Sequence, residues 1–313
     1  MQITVAICTW NRCALLRQAL EQMTKLSIPP DVQWELLVVD NNSTDATPDV
    51  TNSFESRLPI RRIFEPNAGK SYALNRAISE ASGDYILWTD DDALVDKLWL
   101  MAYCTAFKQW PEAAIFGGPV EPAFDGLPPP WLPQALSKVR HAYAGLDLGT
   151  EPIPLTQDAA LFGVNMAVRK AEQERRLYDT KLGPRPNSSL RGEDIALVRA
   201  LLLEDGVEGR WVPAARVRHV ISKERQTVRY LRAFYYGVGQ SYAMQTDDDQ
   251  SWVKLFGKPR WLWRRALEAE LGYWFHRLLN RPEAWADDLR KASEAWGQMS
   301  CYALRRPRSS DPL

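Results

Sequence analysis

Residues 83–92 read GDYILWTDDD, a short apolar run that ends in three consecutive aspartates. Apolar and aromatic residues throughout Tyr85–Thr89 are typical of a strand covered on both faces, as in a parallel sheet. Ligands of such sheets bind at the carboxyl ends of the strands. Three adjacent carboxylates repel one another, and a divalent metal would let them lie together in a cleft. A bound nucleotide diphosphate would complete the oxygen shell of that metal.

The same strand pattern recurs along the first 120 residues, with helices between the strands. We predict earlier strands at Ile3–Cys8, Trp34–Val39 and Arg61–Phe64. We predict helices at Arg12–Met23 with Asn11 as its cap, from Ser43–Asp45 onward, at Lys70–Ala81 and at about Asp96–Trp110. This alternation indicates an α/β fold with a doubly wound, mostly parallel sheet.

Polar residues follow each predicted strand and should converge in one crevice. They form the segments Thr9–Arg12, Asp40–Ser43, Asn67–Lys70 and Asp90–Asp92. Caps and turns are the other interpretation for Asn42 and Ser43, because these residue types favour both.

The chain beyond residue 118 has a different pattern. Six prolines fall between Pro119 and Pro133, which predicts a loop or lid with little regular structure through residue 160. The sheet is expected to resume at Ala160–Val168 and Arg210–His219, with a helix from Asp194 to Leu203 between them. A long aromatic-rich helix is predicted from Arg225 to Met244.

The composition is that of an ordinary globular protein, with 45% hydrophobic and 25% charged residues among 313. Lys and Arg equal Asp and Glu at 39 each, so no global field points to nucleic acid. No apolar run reaches the roughly 18 residues of a membrane span. The four cysteines show neither metal nor disulfide spacing, and the sequence opens on a strand rather than a leader. We therefore expect a cytoplasmic protein.

The C-terminal tail differs in charge from the rest of the chain. Residues 251–313 hold 12 basic and seven acidic residues, and six of the 13 tryptophans. This shift predicts a boundary near residue 250, at the polar linker Thr246–Ser251. Two interpretations of the amphipathic tail helices stay open. They could dock peripherally on the inner face of the plasma membrane, or they could pack on the core or on another subunit.

Several of these segments resemble the nucleotide-binding half of family 2 glycosyltransferases. The resemblance is carried by Ala6–Arg12, Val38–Asp45, Asn67–Asn75, Gly83–Asp92, Leu161–Lys170 and Gly192–Asp194. It implies the GT-A fold, a mostly parallel nucleotide-binding sheet merged with an acceptor-side half. The implied organisation is a nucleotide-sugar-binding half at 1–118, an acceptor-binding and catalytic-base half with the Pro-rich loop at 119–250, and a helical extension at 251–313.

The resemblance also implies roles for individual residues on the donor side. Nucleotide-sugar contacts would come from Thr9, Asn11, Arg12, Asp40, Asn67, Gly69, Lys70 and Asp91. Among these, Asp40 would bind the base or ribose, and Lys70 would reach the diphosphate. Asp90 and Asp92 would form the DxD pair that holds Mn²⁺ or Mg²⁺, with Asp92 the more direct ligand. His219 would lie near this metal, although a satisfied surface or core histidine is the other interpretation.

On the acceptor side the resemblance implies that Asp194 is the general base of an inverting transfer. Glu193 would orient the acceptor or cap the helix. From local sequence alone, both acids could instead simply stabilise the N-terminus of a helix, where the dipole and free N–H groups favour negative charge. Gln226–Tyr230 has Tyr where processive, membrane-spanning relatives have Trp, which favours transfer of a single sugar. A UDP-sugar is the default donor, and a glycan or lipid-linked molecule the expected acceptor.

Two other functions remain open from the sequence. One is a nucleotide-sugar-binding protein of the same fold without transfer activity, which the intact Asp90, Asp92 and Asp194 argue against. The other is a different doubly wound nucleotide enzyme, such as a nucleotidyltransferase. That class would need a Gly-rich, basic phosphate loop after the first strand, and Thr9–Arg12 is not one.

Overall fold

The computed structural model describes residues 1–156, 161–185, 190–245 and 253–302. The chain divides into two compact units. The first unit comprises Met1–Asp125, Tyr143–Pro186 and Gly192–Ile221, and the second comprises Gly126–Ala142, Asn187–Arg191 and Ser222–Leu313.

The elements are named here in chain order. The strands are β1 (Gln2–Thr9), β2 (Gln33–Asp40), β3 (Ile60–Phe64), β4 (Tyr85–Asp90), β5 (Ala93–Val95), β6 (Ile115–Gly117), β7 (Val120–Phe124), β8 (Met166–Arg169), β9 (Gly209–Trp211), β10 (Val217–Ile221), β11 (Lys254–Leu255) and β12 (Lys258–Pro259). The helices are α1 (Cys13–Met23), α2 (Thr47–Asn52), α3 (Lys70–Glu80), α4 (Trp99–Gln109), α5 (Trp131–Val139), α6 (Lys170–Arg175), α7 (Glu193–Arg199), α8 (Val228–Gln245), α9 (Arg260–Leu278) and α10 (Pro282–Tyr302).

The main sheet of the first unit has the strand order β3-β2-β1-β4-β8-β6-β9. The first four of these strands are mutually parallel, and β8 runs antiparallel to both of its neighbours. Alternate residues of β1 belong to two different core clusters, so both faces of the sheet are covered. The predicted α/β fold with a mostly parallel, doubly covered sheet is confirmed.

The strand register explains why polar residues gather at one edge of this sheet. Thr9, at the end of β1, pairs with Asp40 at the end of β2. On the other side, Cys8 pairs with Asp90 at the end of β4. The carboxyl ends of three neighbouring strands therefore lie side by side, as the sequence predicts.

A second, three-stranded sheet of the order β5-β10-β7 also belongs to this unit. It corrects the prediction of one strand over Arg210–His219, because β9 joins the main sheet and β10 joins the small one. Pro213 lies between them, where the chain turns and Ala215 N–H donates to Val212 O at 3.0 Å. Proline has no N–H for a ladder, so a continuous strand is disfavoured there.

The Pro-rich region is more regular than its composition predicts. It holds β7, α5 and a short 3₁₀ helix at Arg140–Tyr143, so the expectation of little regular structure is wrong. Prolines are tolerated in the first turn of a helix, and α5 places Pro133 there. Its apolar residues Leu132, Ala135 and Val139 are buried, which favours the helix.

The start of α1 also differs from the prediction. The side chain of Asn11 does not cap this helix; its Oδ1 instead accepts Thr44 N–H at 2.7 Å. Asp45 performs the capping from the next loop, because its Oδ2 accepts Cys13 N–H at 2.9 Å. The first two loops are thereby joined at the edge where the polar residues gather.

The second unit is helical, built from α5, α8, α9 and α10. Helices α8 and α10 approach closely at two glycines. A Cβ on Gly239 would lie 2.1 Å from Glu294 O, and one on Gly297 would lie 2.0 Å from Tyr236 O. Within the described residues, no helix is both long and apolar enough to cross a membrane. The predicted linker Thr246–Ser251 lies outside the described residues.

Candidate active site

The end of β2 forms a network around two buried side chains. Asp40 accepts Ser43 N–H at 2.9 Å through Oδ1 and pairs with Arg62 at 3.1 Å through Oδ2. Its neighbour Asn41 donates to Asn67 O at 2.6 Å and accepts Gly69 N–H at 2.8 Å. The two side chains hold the loops after β2 and β3 against each other.

Gly69 precedes α3 in a backbone conformation that favours glycine, with φ at 142°. A Cβ there would lie 3.3 Å from the ring of Tyr72 and 3.4 Å from Cβ of Arg185. The backbone at the N-terminus of α3 is therefore crowded, and Lys70 N–H donates to Pro184 O at 2.9 Å. The exposed Arg185 brings a cation to the predicted diphosphate segment.

The aspartate triplet lies beside the basic side chains of Arg12, Lys70 and His219. Asp91 accepts Thr9 Oγ1–H at 2.8 Å and Arg12 Nη1–H at 3.1 Å. The same Arg12 Nη1 lies 3.1 Å from Asp92 Oδ2. Arg12 was predicted to contact the nucleotide sugar, and its guanidinium lies across Asp91 and Asp92 of the triplet. The predicted need for positive charge is met in part by the chain's own side chains.

Burial and charge act in opposition in this cluster. Burial raises the pKa of the Asp91 carboxyl to about 6, and the adjacent Arg12 opposes that rise. Burial would lower the pKa of the Arg12 guanidinium, but Asp91 and Asp92 raise it above its usual value. The ion pairs thus offset part of the desolvation that the site imposes.

His219, on β10, is buried and contacts two groups. Its Nε2 lies 3.1 Å from Asp92 Oδ1, and its Nδ1 lies 2.8 Å from Tyr143 O. A carbonyl can only accept, so Nδ1 carries the proton and donates it. The ring is thereby fixed with Nε2 toward the carboxylate. This geometry is common to both predicted roles, a metal ligand and a hydrogen-bonded core histidine.

The predicted base lies at the start of α7. Gly192 precedes the helix with φ at 93°, and Glu193 and Asp194 are both buried in its first turn. Asp194 Oδ2 accepts Gly163 N–H at 2.9 Å. The other oxygen, Oδ1, is buried and has no hydrogen-bond partner within the described residues. A buried carboxylate oxygen left open in this way can accept a proton from a bound hydroxyl.

Lys70 connects the donor-side and base-side acids. Its Nζ lies 3.2 Å from Asp90 Oδ1 and 3.8 Å from Glu193 Oε1. Burial would lower the pKa of the Lys70 ammonium, but Asp90, Asp194 and Glu193 hold it well above its usual value. Burial likewise raises the pKa of the Asp194 carboxyl, and Lys70 opposes that rise. The acids therefore favour the charged form of Lys70, and Lys70 favours the ionised form of Asp194.

Within the part of the chain that the structure describes, no three His, Cys, Asp or Glu side chains form a group able to hold a metal. Asp92 and His219 do supply a carboxylate oxygen and an imidazole nitrogen in contact with each other. Two protein donors suit a divalent cation whose other ligands come from phosphate and water. The residues therefore fit a metal that binds together with a diphosphate.

The structure brings the site residues predicted from the sequence to one edge of the sheet, apart from two exposed side chains. Asn11 contacts the loop after β2, and the amide of Asn67 donates to Glu65 Oε1 at 2.8 Å. Sequence reasoning missed four residues of this edge, namely Asn41, Arg62, Gly163 and Arg185. Arg62 is a single cation within a strand, and its pairing with Asp40 depends on the register between β2 and β3. Asn41 lies within the polar segment Asp40–Ser43 and Gly163 within the family-like segment Leu161–Lys170, so the sequence offered a signal for these two.

Comparison with solved structures identifies the fold. The UDP complex of S. aureus TarS 1-349 is 15% identical to this chain and superposes with a TM-score of 0.56. The matched region spans 98% of this chain and 93% of the TarS chain. A mannosyltransferase from Pyrobaculum calidifontis with GDP-Man and Mn²⁺ is 19% identical and gives a TM-score of 0.54. The matched region spans 99% of this chain and 76% of the mannosyltransferase chain. The fold is that of the GT-A glycosyltransferases, as the sequence predicts.

The sequence comparison gives the family. Residues 4–162 match the profile "Glycosyl transferase family 2", and because this is more than half of the chain, the protein belongs to that family. "Glucosyl-dolichyl phosphate glucuronosyltransferase" of Haloferax volcanii is 20% identical over 265 residues, which are 81% of this chain and 82% of that protein. "Probable glycosyltransferase YdaM" of Bacillus subtilis is 35% identical over 102 residues, 31% of this chain. "Beta-monoglucosyldiacylglycerol synthase" of Synechocystis is 32% identical over 100 residues, also 31% of this chain. The matched regions span 24% and 21% of the length of those two proteins.

Proposed function

We propose that this chain is a metal-dependent, inverting glycosyltransferase that moves one sugar from a nucleotide-diphosphate sugar to an acceptor hydroxyl. We favour a UDP-sugar as the donor and a glycan or lipid-linked molecule as the acceptor. In this reaction Asp194 is the general base that takes the proton of the acceptor hydroxyl.

One observation carries the proposal. Asp194 is buried, and one of its oxygens accepts Gly163 N–H, whereas the other has no hydrogen-bond partner among the described residues. Burial raises its pKa, so this carboxylate is a stronger base than an exposed one. A helix-capping role alone would explain neither the raised pKa of Asp194 nor its buried oxygen without a partner among the described residues.

The donor side rests on the loops at the ends of β1, β2 and β4. Asp40 and Arg62 offer a fixed polar surface for the base or ribose, with Thr9 and Asp91 beside it. Lys70 and Arg185 bring positive charge near the N-terminus of α3, where the helix dipole also favours a phosphate. The titles of similar solved structures name UDP, UDP-GlcNAc and GDP-Man, which is the class of donor that we assign to this chain.

The chemistry is a single displacement. The acceptor hydroxyl loses its proton to Asp194 Oδ1 as its oxygen forms a bond to the anomeric carbon. The bond from that carbon to the diphosphate oxygen breaks on the opposite face, and the diphosphate leaves with the electron pair. The anomeric centre is therefore inverted.

Asp92 and His219, with Asp90 as the other member of the predicted DxD pair, would hold a divalent cation, Mn²⁺ or Mg²⁺. It would neutralise the charge that develops on the leaving diphosphate. Arg12 orients Asp92 through a contact of 3.1 Å, and Tyr143 O fixes the ring of His219. These contacts fix the orientation of the two ligands. Lys70 compensates the negative charge of Asp90, the first carboxylate of the triplet.

The first test is a calorimetric titration of UDP, GDP and dTDP, each with and without Mn²⁺, on the wild type and on Asp92→Ala. We expect metal-dependent binding of one nucleotide, which Asp92→Ala removes. A donor hydrolysis and transfer screen with that nucleotide's sugars then uses Asp194→Asn as its control. We expect that variant to bind donor normally and to lose roughly 10²- to 10⁴-fold in rate, the usual contribution of a general base.

The outcomes separate the alternatives. Binding that Asp92→Ala removes, combined with a rate that Asp194→Asn removes, supports the transferase. Nucleotide-sugar binding without hydrolysis or transfer would indicate a binding protein of the same fold. If none of the nucleotides binds under either condition, the transferase proposal is wrong.

A further inference from the structure

Helix α9 has apolar side chains on both of its faces. On one face, Leu262, Ala266, Ala269 and Tyr273 are buried within the second unit. On the opposite face, five large apolar side chains are exposed. This outer face of α9 consists of Leu267 (51% exposed), Leu271 (71%), Trp274 (61%), Phe275 (58%) and Leu278 (84%). Their spacing of three and four residues forms one continuous stripe.

The hairpin of β11 and β12 precedes α9 and adds an exposed aromatic side chain at the start of the helix. Its turn residue Phe256 is 83% exposed and has φ at 50°. The hairpin is tied to the helix because Trp263 Nε1–H donates to Leu255 O at 2.9 Å. The ring of Trp263 also lies 6.2 Å from that of Phe256, so the exposed hairpin tip lies beside the first turn of α9.

The charges around this surface are mostly of one sign. Residues 253–281 hold seven basic residues and two acidic ones, although the whole chain is neutral. Both acids are paired: Glu268 Oε1 lies 2.7 Å from Arg264 Nε, and Glu270 Oε1 lies 2.8 Å from Arg232. The basic residues that flank the stripe are exposed at both ends of the helix. They include Lys254, Arg260 and Arg264 near its start, and Arg277 and Arg281 near its end.

We propose that the outer face of α9 and the hairpin tip dock onto the surface of a membrane that contains anionic lipids. Leucine, phenylalanine and tryptophan side chains would enter the acyl boundary, and the flanking Lys and Arg would contact lipid phosphates. A second copy of the chain fits this surface poorly. In a two-fold pair the same basic residues would face each other, and like charges oppose association.

The proposal is tested by flotation of the full chain with vesicles, without donor or acceptor. Vesicles of phosphatidylglycerol and phosphatidylcholine in equal parts are compared with phosphatidylcholine alone. We expect binding to the anionic vesicles that weakens as salt is raised. Leu271→Ser/Leu278→Ser should bind at least about tenfold more weakly. Arg260→Gln/Arg264→Gln should lose about fivefold per charge removed on anionic vesicles only.

Leu127→Ser is the matched control, because Leu127 is 96% exposed and lies outside this surface. It should bind vesicles as the wild type does. Circular dichroism and nucleotide titration should be unchanged in all variants, so a failure here is distinct from a failure of the proposed function. The proposal is overturned if the chain does not float, or if Leu271→Ser/Leu278→Ser floats like the wild type. A stable dimer in sedimentation that this double variant dissociates would instead assign the surface to a second copy.

Discussion

Lys70 Nζ and Asp90 Oδ1 lie 3.2 Å apart, which joins the first turn of α3 to the end of β4. The same ammonium lies 3.8 Å from Glu193 Oε1, at the start of α7. A single half-buried cation thus stands between the acids assigned to the donor and those assigned to the acceptor. Its charge lowers the pKa of Asp194, against the larger effect of burial. The basicity of Asp194 should therefore depend on Lys70 as well as on burial.

Replacing Lys70 with Met should shift the pH dependence of the transfer rate. Asp194 must be ionised to take a proton, so the rate falls as pH drops through its pKa. Loss of the nearby cation raises that pKa, and the acidic limb of the kcat profile should move to higher pH. The profile is measured at saturating donor and acceptor. Lys108→Met is the matched control, because Lys108 is exposed and pairs with Asp31 on the surface. An acidic limb that stays in place in Lys70→Met would show that Lys70 does not tune the base.

Adding one methyl group at Gly163 should displace the base. A Cβ there would lie 2.8 Å from Asp194 Oδ1 and 3.0 Å from Oδ2, too close for either oxygen to stay. We expect Gly163→Ala to lower kcat by about 10²-fold, the cost of a misplacement of about 1 Å. Nucleotide affinity, measured by titration, should be unchanged because Gly163 lies on the base side.

A double variant distinguishes this effect from general damage. If Gly163→Ala acts only through the base, adding it to Asp194→Asn should cause little further loss. Additive losses in the double variant would mean that Gly163 affects the rate by another route.

Donor binding should depend on the charge of Asp40, which pairs with Arg62. Asp40→Asn keeps the shape of the side chain but removes its charge, so both Arg62 and the bound nucleoside lose a charged acceptor. We expect nucleotide affinity to fall roughly tenfold to a hundredfold, the range for a hydrogen bond to a charged group. Asp49→Asn, in the exposed part of α2, is the control and should bind normally. Equal affinities in the two variants would contradict the role of Asp40.

The sequence predicted the nucleotide-binding sheet well because its signals are local. The apolar runs at β1, β2 and β4 and the polar residues at their ends identified both the strands and the crevice. The pairing of Arg62 with Asp40 could not be predicted, because it depends on strand register. Within the Pro-rich region, α5 was missed because proline content was weighed above the spacing of Leu132, Ala135 and Val139. The separation of β9 from β10 is likewise a property of the tertiary structure, although Pro213 marks the place.

Asn165 shows how a residue within a family-like segment can stabilise the fold. It lies within the segment Leu161–Lys170, and its side chain is buried and fully hydrogen-bonded. Its Oδ1 accepts Trp99 Nε1–H and Tyr103 O–H, each at 2.8 Å. Its Nδ2 donates to Pro119 O at 2.9 Å and to Ala215 O at 2.7 Å. One amide therefore connects α4 to the segments that enter β7 and β10.

Asn165→Ala should strongly destabilise the protein. It leaves two donors and two carbonyls without their partner in a buried place, and each such group costs about 1–3 kcal/mol. We expect the free energy of unfolding, measured by urea denaturation, to fall by at least about 3 kcal/mol. Asn52→Ala, at the exposed end of α2, should change it by less than about 0.5 kcal/mol. If Asn165→Ala instead unfolds like Asn52→Ala but loses transfer activity, the residue acts on the substrate rather than on the fold.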